Sequence, residues 1–63
     1  MREEYKTLLK STSVGERAEA LRKYEQCGKI GDIEALIVFA QEDPSIAIRN
    51  HAADAISDIL SRY

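Results

Sequence analysis

Signals that start and stop helices recur along the whole of this 63-residue chain. Ser13 has the small polar side chain that is typical of a helix N-cap, and Glu16 three residues later completes a capping box. Gly28 is a candidate C-cap. The pair Asp43-Pro44 sets a capping acid directly before the proline that favours the first helical position. Strong helix formers fill the intervals, so these start and stop signals predict an all-α protein of about four helices.

The predicted helices cover residues 2–10, Ser13 to Gly28, Asp32 to about Gln41, and Asp43 to the terminus at Tyr63. The third, which contains the sequence IEALIVFAQ, has apolar residues on every side, and this predicts a central position. Its segment LIVF also fits a β-strand, because branched and aromatic residues favour sheets. We interpret it as helix, since nothing else in the chain alternates with period two and a strand needs a partner.

The fourth helix carries two apolar stripes. The main stripe, which we expect in the core, consists of Ile48, Ala52, Ala55, Ile56 and Ile59. The second stripe consists of Ile46, Ala53 and Leu60, spaced by seven residues, and is called the outer face below. It lies about a third of a turn from the main stripe, with Arg49 between the two. A helix needs two apolar faces only when it packs against two layers, so the outer face is a candidate partner-binding surface.

Length and composition bound the possible protein classes. A chain this short makes one domain and buries only about 60% of the surface that its unfolded form exposes. Its core should contribute only about 3–5 kcal/mol of stability. Hydrophobic residues make up 44% and charged residues 32%, as in a folded chain. Residues 35–40 form the longest apolar run, which is too short to cross a membrane, and no signal peptide is evident, so we expect a cytoplasmic protein.

Charge is distributed unevenly along the chain, although the net charge is only −2. Residues 1–31 contain seven Lys or Arg against five acids, whereas residues 32–63 contain two against six. This asymmetry favours head-to-tail contact between copies.

An internal repeat appears when the chain is shifted on itself by 32 residues. The shift superimposes the two helix starts and aligns Ser13 with Ser45, Val14 with Ile46, Arg17 with Arg49, Ala20 with Ala52, Leu21 with Ala53, Tyr24 with Ile56 and Cys27 with Ile59. A shift of 35 aligns apolar positions about as well but sets Val14 on Arg49 and loses the caps. The predicted repeating unit is therefore one shorter helix followed by one longer helix.

The second half of the chain resembles a HEAT or HEAT-like repeat of the phycobilin lyase type. An apolar helix, an Asp-Pro turn and the pattern Ile-Arg-x-x-Ala-Ala-x-Ala-Ile carry the resemblance, through Asp43, Pro44, Ile48, Arg49, Ala52, Ala53, Ala55 and Ile56. The first half departs from the pattern, with Ser11-Thr12 in place of Asp-Pro and Glu16 in place of the apolar residue before Arg. End repeats of solenoids are often atypical.

The resemblance implies a short α-solenoid of two antiparallel helix pairs in a single domain, 1–63. A degenerate first pair would span residues 1–29 and a second pair residues 30–63; these are called the first and second units below. It also implies protein binding rather than catalysis, with no cofactor or metal. Because solenoids usually need three or more repeats, we expect the chain either to form a homo-oligomer through the outer face or to dock on a larger partner.

Polar residues of the fourth helix have both structural and functional interpretations. The family pattern implies that Asp43 and Arg49 tie the turn to the helix, through a charge-assisted hydrogen bond. Asn50 and His51 have no evident structural role, and together with Asp54 they are candidate partner contacts. His51, Asp54 and Asp58 line one side of the helix and suit a divalent metal, but an exposed face with an Asp58–Arg62 ion pair is the favoured interpretation.

Two further chemistries have weak signals. Cys27 and His51 could act as nucleophile and base, yet no glycine-rich or oxyanion-forming turn accompanies them; Cys27 is more simply a small apolar residue beneath the Gly28 cap. The basic residues Arg17, Arg22, Lys23 and Lys29 raise the alternative function, a small helical nucleic-acid-binding regulator. Acidic residues alternate with them, as on an ordinary charged surface, so we do not expect nucleic acid as a partner.

Overall fold

The computed structural model describes residues 3–63, which are all-helical and contain no strand. Its elements are α1 (Glu3–Leu9), α2 (Val14–Cys27), a 3-10 turn (Ile30–Asp32), α3 (Ile33–Glu42) and α4 (Ile46–Ser61). The predicted all-α class and the four helices are confirmed, and LIVF is helical. Arg2, which the sequence set at the start of the first helix, lies outside the described residues.

The start of α2 differs in detail from the predicted capping box. The Ser13 hydroxyl accepts from the backbone N–H of Glu16 at 3.3 Å, as an N-cap should. The reciprocal bond is not made. The Ser13 N–H donates to the Ser11 hydroxyl at 3.0 Å, and that hydroxyl donates to the Glu16 carboxylate. The Ser11 hydroxyl therefore bridges the Ser13 N–H and the Glu16 carboxylate, which the capping box would join directly.

The C-terminus of α2 ends at a tightly packed glycine. The Gly28 N–H donates to the carbonyl of Tyr24 at 2.8 Å. A Cβ at this position would lie 2.5 Å from that carbonyl oxygen and 2.7 Å from the Cδ1 atom of Ile59. Gly28 is buried and its φ is −67°, so close packing rather than a left-handed backbone requires glycine here. Cys27 is exposed, so the prediction that it lies beneath the cap is wrong.

Neither Asp32 nor Asp43 makes the side-chain helix cap that the sequence predicted. Asp32 makes no side-chain cap to α3; its carboxylate accepts from the Lys29 N–H at 2.8 Å and closes the 3-10 turn, which the sequence did not indicate. The N-cap of α4 is Ser45, whose hydroxyl accepts from the Ile48 N–H at 3.3 Å. Asp43 is the C-cap of α3, and Pro44 lies in the turn.

The expectation that α3 is surrounded on all sides is wrong. Leu36 is its fully buried residue, whereas Ile37 and Val38 are 41% and 50% exposed. The helix packs mainly against α4, so its other side stays open to solvent.

The core lies between α2 and the two helices of the second unit. Its buried hydrophobic residues are Leu9, Ala20, Leu21, Tyr24, Leu36, Ile48, Ala52, Ala55 and Ile59. Four of the five residues in the predicted main stripe of α4 belong to it, and Ile56 is half-buried against it.

Helices α2 and α4 lie side by side and run in the same direction. At their N-terminal ends the side chain of Arg17 meets that of Asp43. At their C-terminal ends Arg62 donates to the carbonyl oxygens of Glu25 and Gly28, at 2.6 and 2.8 Å. The two long helices of the repeat are thus neighbours, which positions α4 with one face on α2 and α3 and another face outward.

Candidate interaction surface

The turns that precede α2 and α4 share a hydrogen-bond pattern at the 32-residue spacing. In the first, Arg17 Nη1 donates to the carbonyl of Ser11 at 2.8 Å. In the second, Arg49 Nη1 donates to the carbonyl of Asp43 at 2.7 Å. The backbone N–H two residues after Ser11 or Asp43 donates to that residue's side chain, at 3.0 and 2.9 Å. The two turns are therefore built alike, with Ser11 in the position of Asp43.

One ion pair links the two turns. Arg17 Nη2 donates to Asp43 Oδ1 at 3.3 Å, and Arg17 Nε lies 2.9 Å from Oδ2. The Nε–H does not point at the oxygen, so the shorter contact is an ion pair rather than a hydrogen bond. The two side chains are only 10% and 3% exposed. This buried pair joins the first unit to the second.

Arg49 and Asp43 meet as the sequence indicated, but through the backbone. Arg49 binds the carbonyl oxygen of Asp43, while the Asp43 carboxylate is occupied by Arg17 and by the Ser45 N–H. Among the described residues the Asp43 carbonyl is the one hydrogen-bond partner of the Arg49 side chain. Its guanidinium thus keeps unused donors at the edge of the outer face.

Equivalent positions of α2 and α4 differ sharply in exposure. Leu21 and Tyr24 are 0% and 1% exposed, because α4 and the neighbouring elements cover them. Their counterparts on α4, Ala53 and Ile56, are exposed and half-buried. Gly28 is buried, whereas its counterpart Leu60 is 52% exposed. Positions that are buried on α2 are therefore repeated on α4, where Ala53 and Leu60 are exposed.

The outer face itself is apolar and open. Ile46 is 65% exposed, Leu60 is 52% exposed, and Ala53 between them is also exposed. Large apolar side chains left in water at one face mark an interaction surface more strongly than scattered ones do. The structure thus leaves the predicted partner-binding stripe accessible.

The three polar candidates on α4 are in different surroundings. Asn50 and Asp54 are exposed. His51 Nε2 lies 2.5 Å from a carboxylate oxygen of Glu25 on α2, and both side chains are about one quarter exposed. His51 therefore has a structural contact between helices that the sequence did not reveal, whereas Asn50 and Asp54 stay available.

The side of α4 considered for a metal has other contacts. His51 faces Glu25, and Arg62 donates to the C-terminus of α2 rather than to Asp58. Within residues 3–63 no group of three His, Cys, Asp or Glu side chains is arranged to hold a metal ion. The predicted Asp58–Arg62 pair is replaced by a link between helices.

The basic residues of α2 are partly engaged within the protein. Arg17 is buried against Asp43, so its interpretation as part of an ordinary charged surface is wrong. Lys23 is half-buried, with its Nζ 6.0 Å from the centre of the Tyr5 ring. The repeat contained the signal for Arg17, since its counterpart Arg49 already had a predicted structural role.

A shallow cleft of about 350 Å³ lies between α1, the 3-10 turn and α3. Leu9, Phe39 and Tyr24 line it together with Lys6, Lys10, Glu3 and Asp32. Burial of the Tyr24 hydroxyl raises its pKa, and the negative charges of Asp32 and Glu3 raise it further. Acids and bases are mixed along this cleft, so its charge favours no one class of ligand.

Comparison with protein-family models, with curated proteins and with solved structures finds no match for this chain. None of the helices in residues 3–63 is long and apolar enough to span a bilayer.

Proposed function

We propose that this chain is a small protein–protein interaction module of the HEAT-like type. In this proposal the two units are antiparallel helix pairs stacked as a short α-solenoid, and the outer face of α4 binds a second copy or a larger partner in the cytoplasm. The role is binding rather than catalysis, and it requires no cofactor.

One observation carries the proposal: Ala53 and Leu60 occupy in the repeat the positions of Leu21 and Gly28, yet they are exposed where Leu21 and Gly28 are buried. A helix pair buries its apolar face only against the next pair, so an exposed apolar face of this kind on α4 is suited to packing. Ile46 extends this surface to the start of the helix. Asn50 and Asp54 supply a polar rim, as protein interfaces usually have.

Site-specific photo-crosslinking tests the proposal. A photoreactive amino acid at Leu60 should form one major covalent adduct in the cells that make the protein, and the same residue at the exposed position Gln26 on α2 should not. Ile46→Asp in the Leu60 crosslinking variant should abolish the adduct, because it adds a charge to the same face. Equal labelling from Leu60 and Gln26 would contradict the proposal.

Oligomeric state distinguishes the two kinds of partner. If a second copy binds the outer face, sedimentation equilibrium of the purified chain should show association that Leu60→Asp removes. If a larger partner binds it, the purified chain should be a monomer and the adduct should exceed the mass of two copies.

The alternative, a nucleic-acid-binding regulator, has less support. Of its four basic residues, Arg17 is withdrawn into the ion pair with Asp43 and Lys23 is half-buried near Tyr5. Salt-dependent binding to DNA or RNA at low ionic strength would revive it.

A further inference from the structure

We infer that the outer face of α4 binds a helix pair whose turn presents a carboxylate to Arg49, and that this pair differs in sequence from the first unit of the chain. The inference rests on the proposed function and specifies the partner. A partner of this class would meet α4 as the second unit meets α2.

Arg49 has hydrogen-bond donors that no described residue uses. Arg17 binds the carbonyl of Ser11 with Nη1 and donates from Nη2 to the Asp43 carboxylate of the neighbouring unit, which its Nε also approaches to 2.9 Å. Arg49 makes the equivalent carbonyl bond, to Asp43, and no described carboxylate contacts its other nitrogens. Its counterpart Arg17 is 9% exposed as a whole residue, whereas Arg49 is half-buried. A carboxylate at the equivalent position of a docked helix pair would pair with these nitrogens of Arg49, as Asp43 pairs with Arg17.

The apolar residues of the outer face indicate which side chains its occupant should have. On α2 the equivalent surface adjoins α4, whose core residues Ile48, Ala52, Ala55 and Ile59 are all at most 2% exposed. On α4 the corresponding residues Ala53 and Leu60 are exposed and Ile56 is half-buried. The matching occupant therefore has aliphatic and small residues at these four spacings, with an acid two residues before the N-cap of its second helix.

The first unit of another copy does not meet this description. Ser11, which lacks a carboxylate, stands where Asp43 is needed. Glu16 and Lys23 occupy the repeat positions of the core residues Ile48 and Ala55, so stacking would press two charged side chains onto the outer face. Burying charges without partners is costly, and a polar outer surface is typical of an end repeat. Head-to-tail association of copies, which the charge asymmetry favoured, therefore lacks the contacts that the second unit makes.

A chain extended by its own second unit provides the test. The extended chain consists of residues 1–61 followed by a further copy of residues 30–63, which continues the 32-residue spacing and sets the added Asp43 against the original Arg49. In a Cys27→Ser background, Leu60→Cys in the original unit reports access to the outer face. The added copy should slow the reaction of this thiol with a maleimide at least about tenfold, since burial permits reaction only after opening. The melting temperature should also rise.

Two added copies serve as matched controls. With Asp43→Asn in the added copy, the rise in melting temperature and part of the thiol protection should be lost. With Ile48→Glu and Ala55→Lys there, which are the residues of the first unit, the thiol should react as fast as in the unextended chain. Both controls keep the loop and the helix length, and far-UV circular dichroism measures how much helix each added copy forms.

The outcomes separate this inference from the proposed function. An added second unit that leaves the Leu60→Cys thiol fully reactive overturns the inference, even if crosslinking from Leu60 succeeds with some other partner. Protection that is unchanged by Asp43→Asn overturns the role of Arg49. Thiol protection in the unextended chain that increases with protein concentration identifies a second copy as the occupant and also overturns the inference.

Discussion

The side chains of Arg17 and Asp43 form a buried ion pair, with Nε 2.9 Å from Oδ2, between the turn that precedes α2 and the turn that precedes α4. The pair joins residues 26 positions apart in the sequence. It holds the N-terminal ends of α2 and α4 together, so the alignment of the two units depends on it.

Asp43→Asn should destabilise the protein by about 3 kcal/mol, because it leaves the Arg17 charge buried without its partner. Asparagine can still accept from the Ser45 N–H, so the turn keeps that bond. Urea unfolding followed by circular dichroism measures the loss. Combining Asp43→Asn with Arg17→Leu should recover at least half of it, because no unpaired charge then remains. Additive losses in the double variant would show that the two side chains act independently.

Leu21→Ala and Leu60→Ala remove the same atoms with different expected results. Leu21 is fully buried, so its truncation should cost about 2–5 kcal/mol in the free energy of unfolding. Leu60 is 52% exposed, so its truncation should change the stability of the monomer by less than about 0.5 kcal/mol. Urea titrations at low protein concentration compare the two. Similar losses would mean that the outer face is already covered in solution.

Gly28→Ala should lower stability by about 1–3 kcal/mol, because the added Cβ would press on the Tyr24 carbonyl and on Ile59. Gly31→Ala is the matched control, since its added Cβ would have no neighbour within 4 Å. That variant should be neutral or gain up to about 1 kcal/mol from the reduced freedom of the unfolded chain. Thermal unfolding of both variants measures the difference, and an equal response would refute the close packing of α2 on α4.

The stability of the protein should decline at alkaline pH through Tyr24. Its folded-state pKa is raised above the ordinary value of about 10, chiefly by burial and then by Asp32 and Glu3. The folded state therefore holds the phenol proton where the unfolded state has released it. This contribution is complete below pH of about 10 and is lost as the pH rises toward the folded-state pKa.

Tyr24→Phe should flatten that decline, and Tyr63→Phe should not, because Tyr63 is 72% exposed. Urea midpoints measured across the alkaline range for the three proteins isolate the effect, since each variant differs from the unmodified chain by one hydroxyl group. A Tyr24→Phe profile parallel to that of the unmodified chain would count against the burial of this hydroxyl.

The local rules of helix formation predicted much of the fold. Ser13 and Gly28 bound α2 as expected, and the main stripe of α4 lies in the core, because capping and 3.6-residue periodicity act over a few neighbouring residues. The same rules failed where two candidates competed. Ser45, not Asp43, caps α4, and the 3-10 turn closed by Asp32 has no strong sequence signal.

By itself, the sequence determined the number and type of helices, the 32-residue repeat and the outer stripe of Ile46, Ala53 and Leu60. Only the tertiary structure decided what Arg17 and His51 contact, because those partners, Asp43 and Glu25, lie 26 residues away in each case and belong to the other unit. It also decided which copy of the repeated surface is covered. Leu21 and Ala53 occupy equivalent positions, and exposure follows from the presence of a neighbouring helix rather than from the residue type.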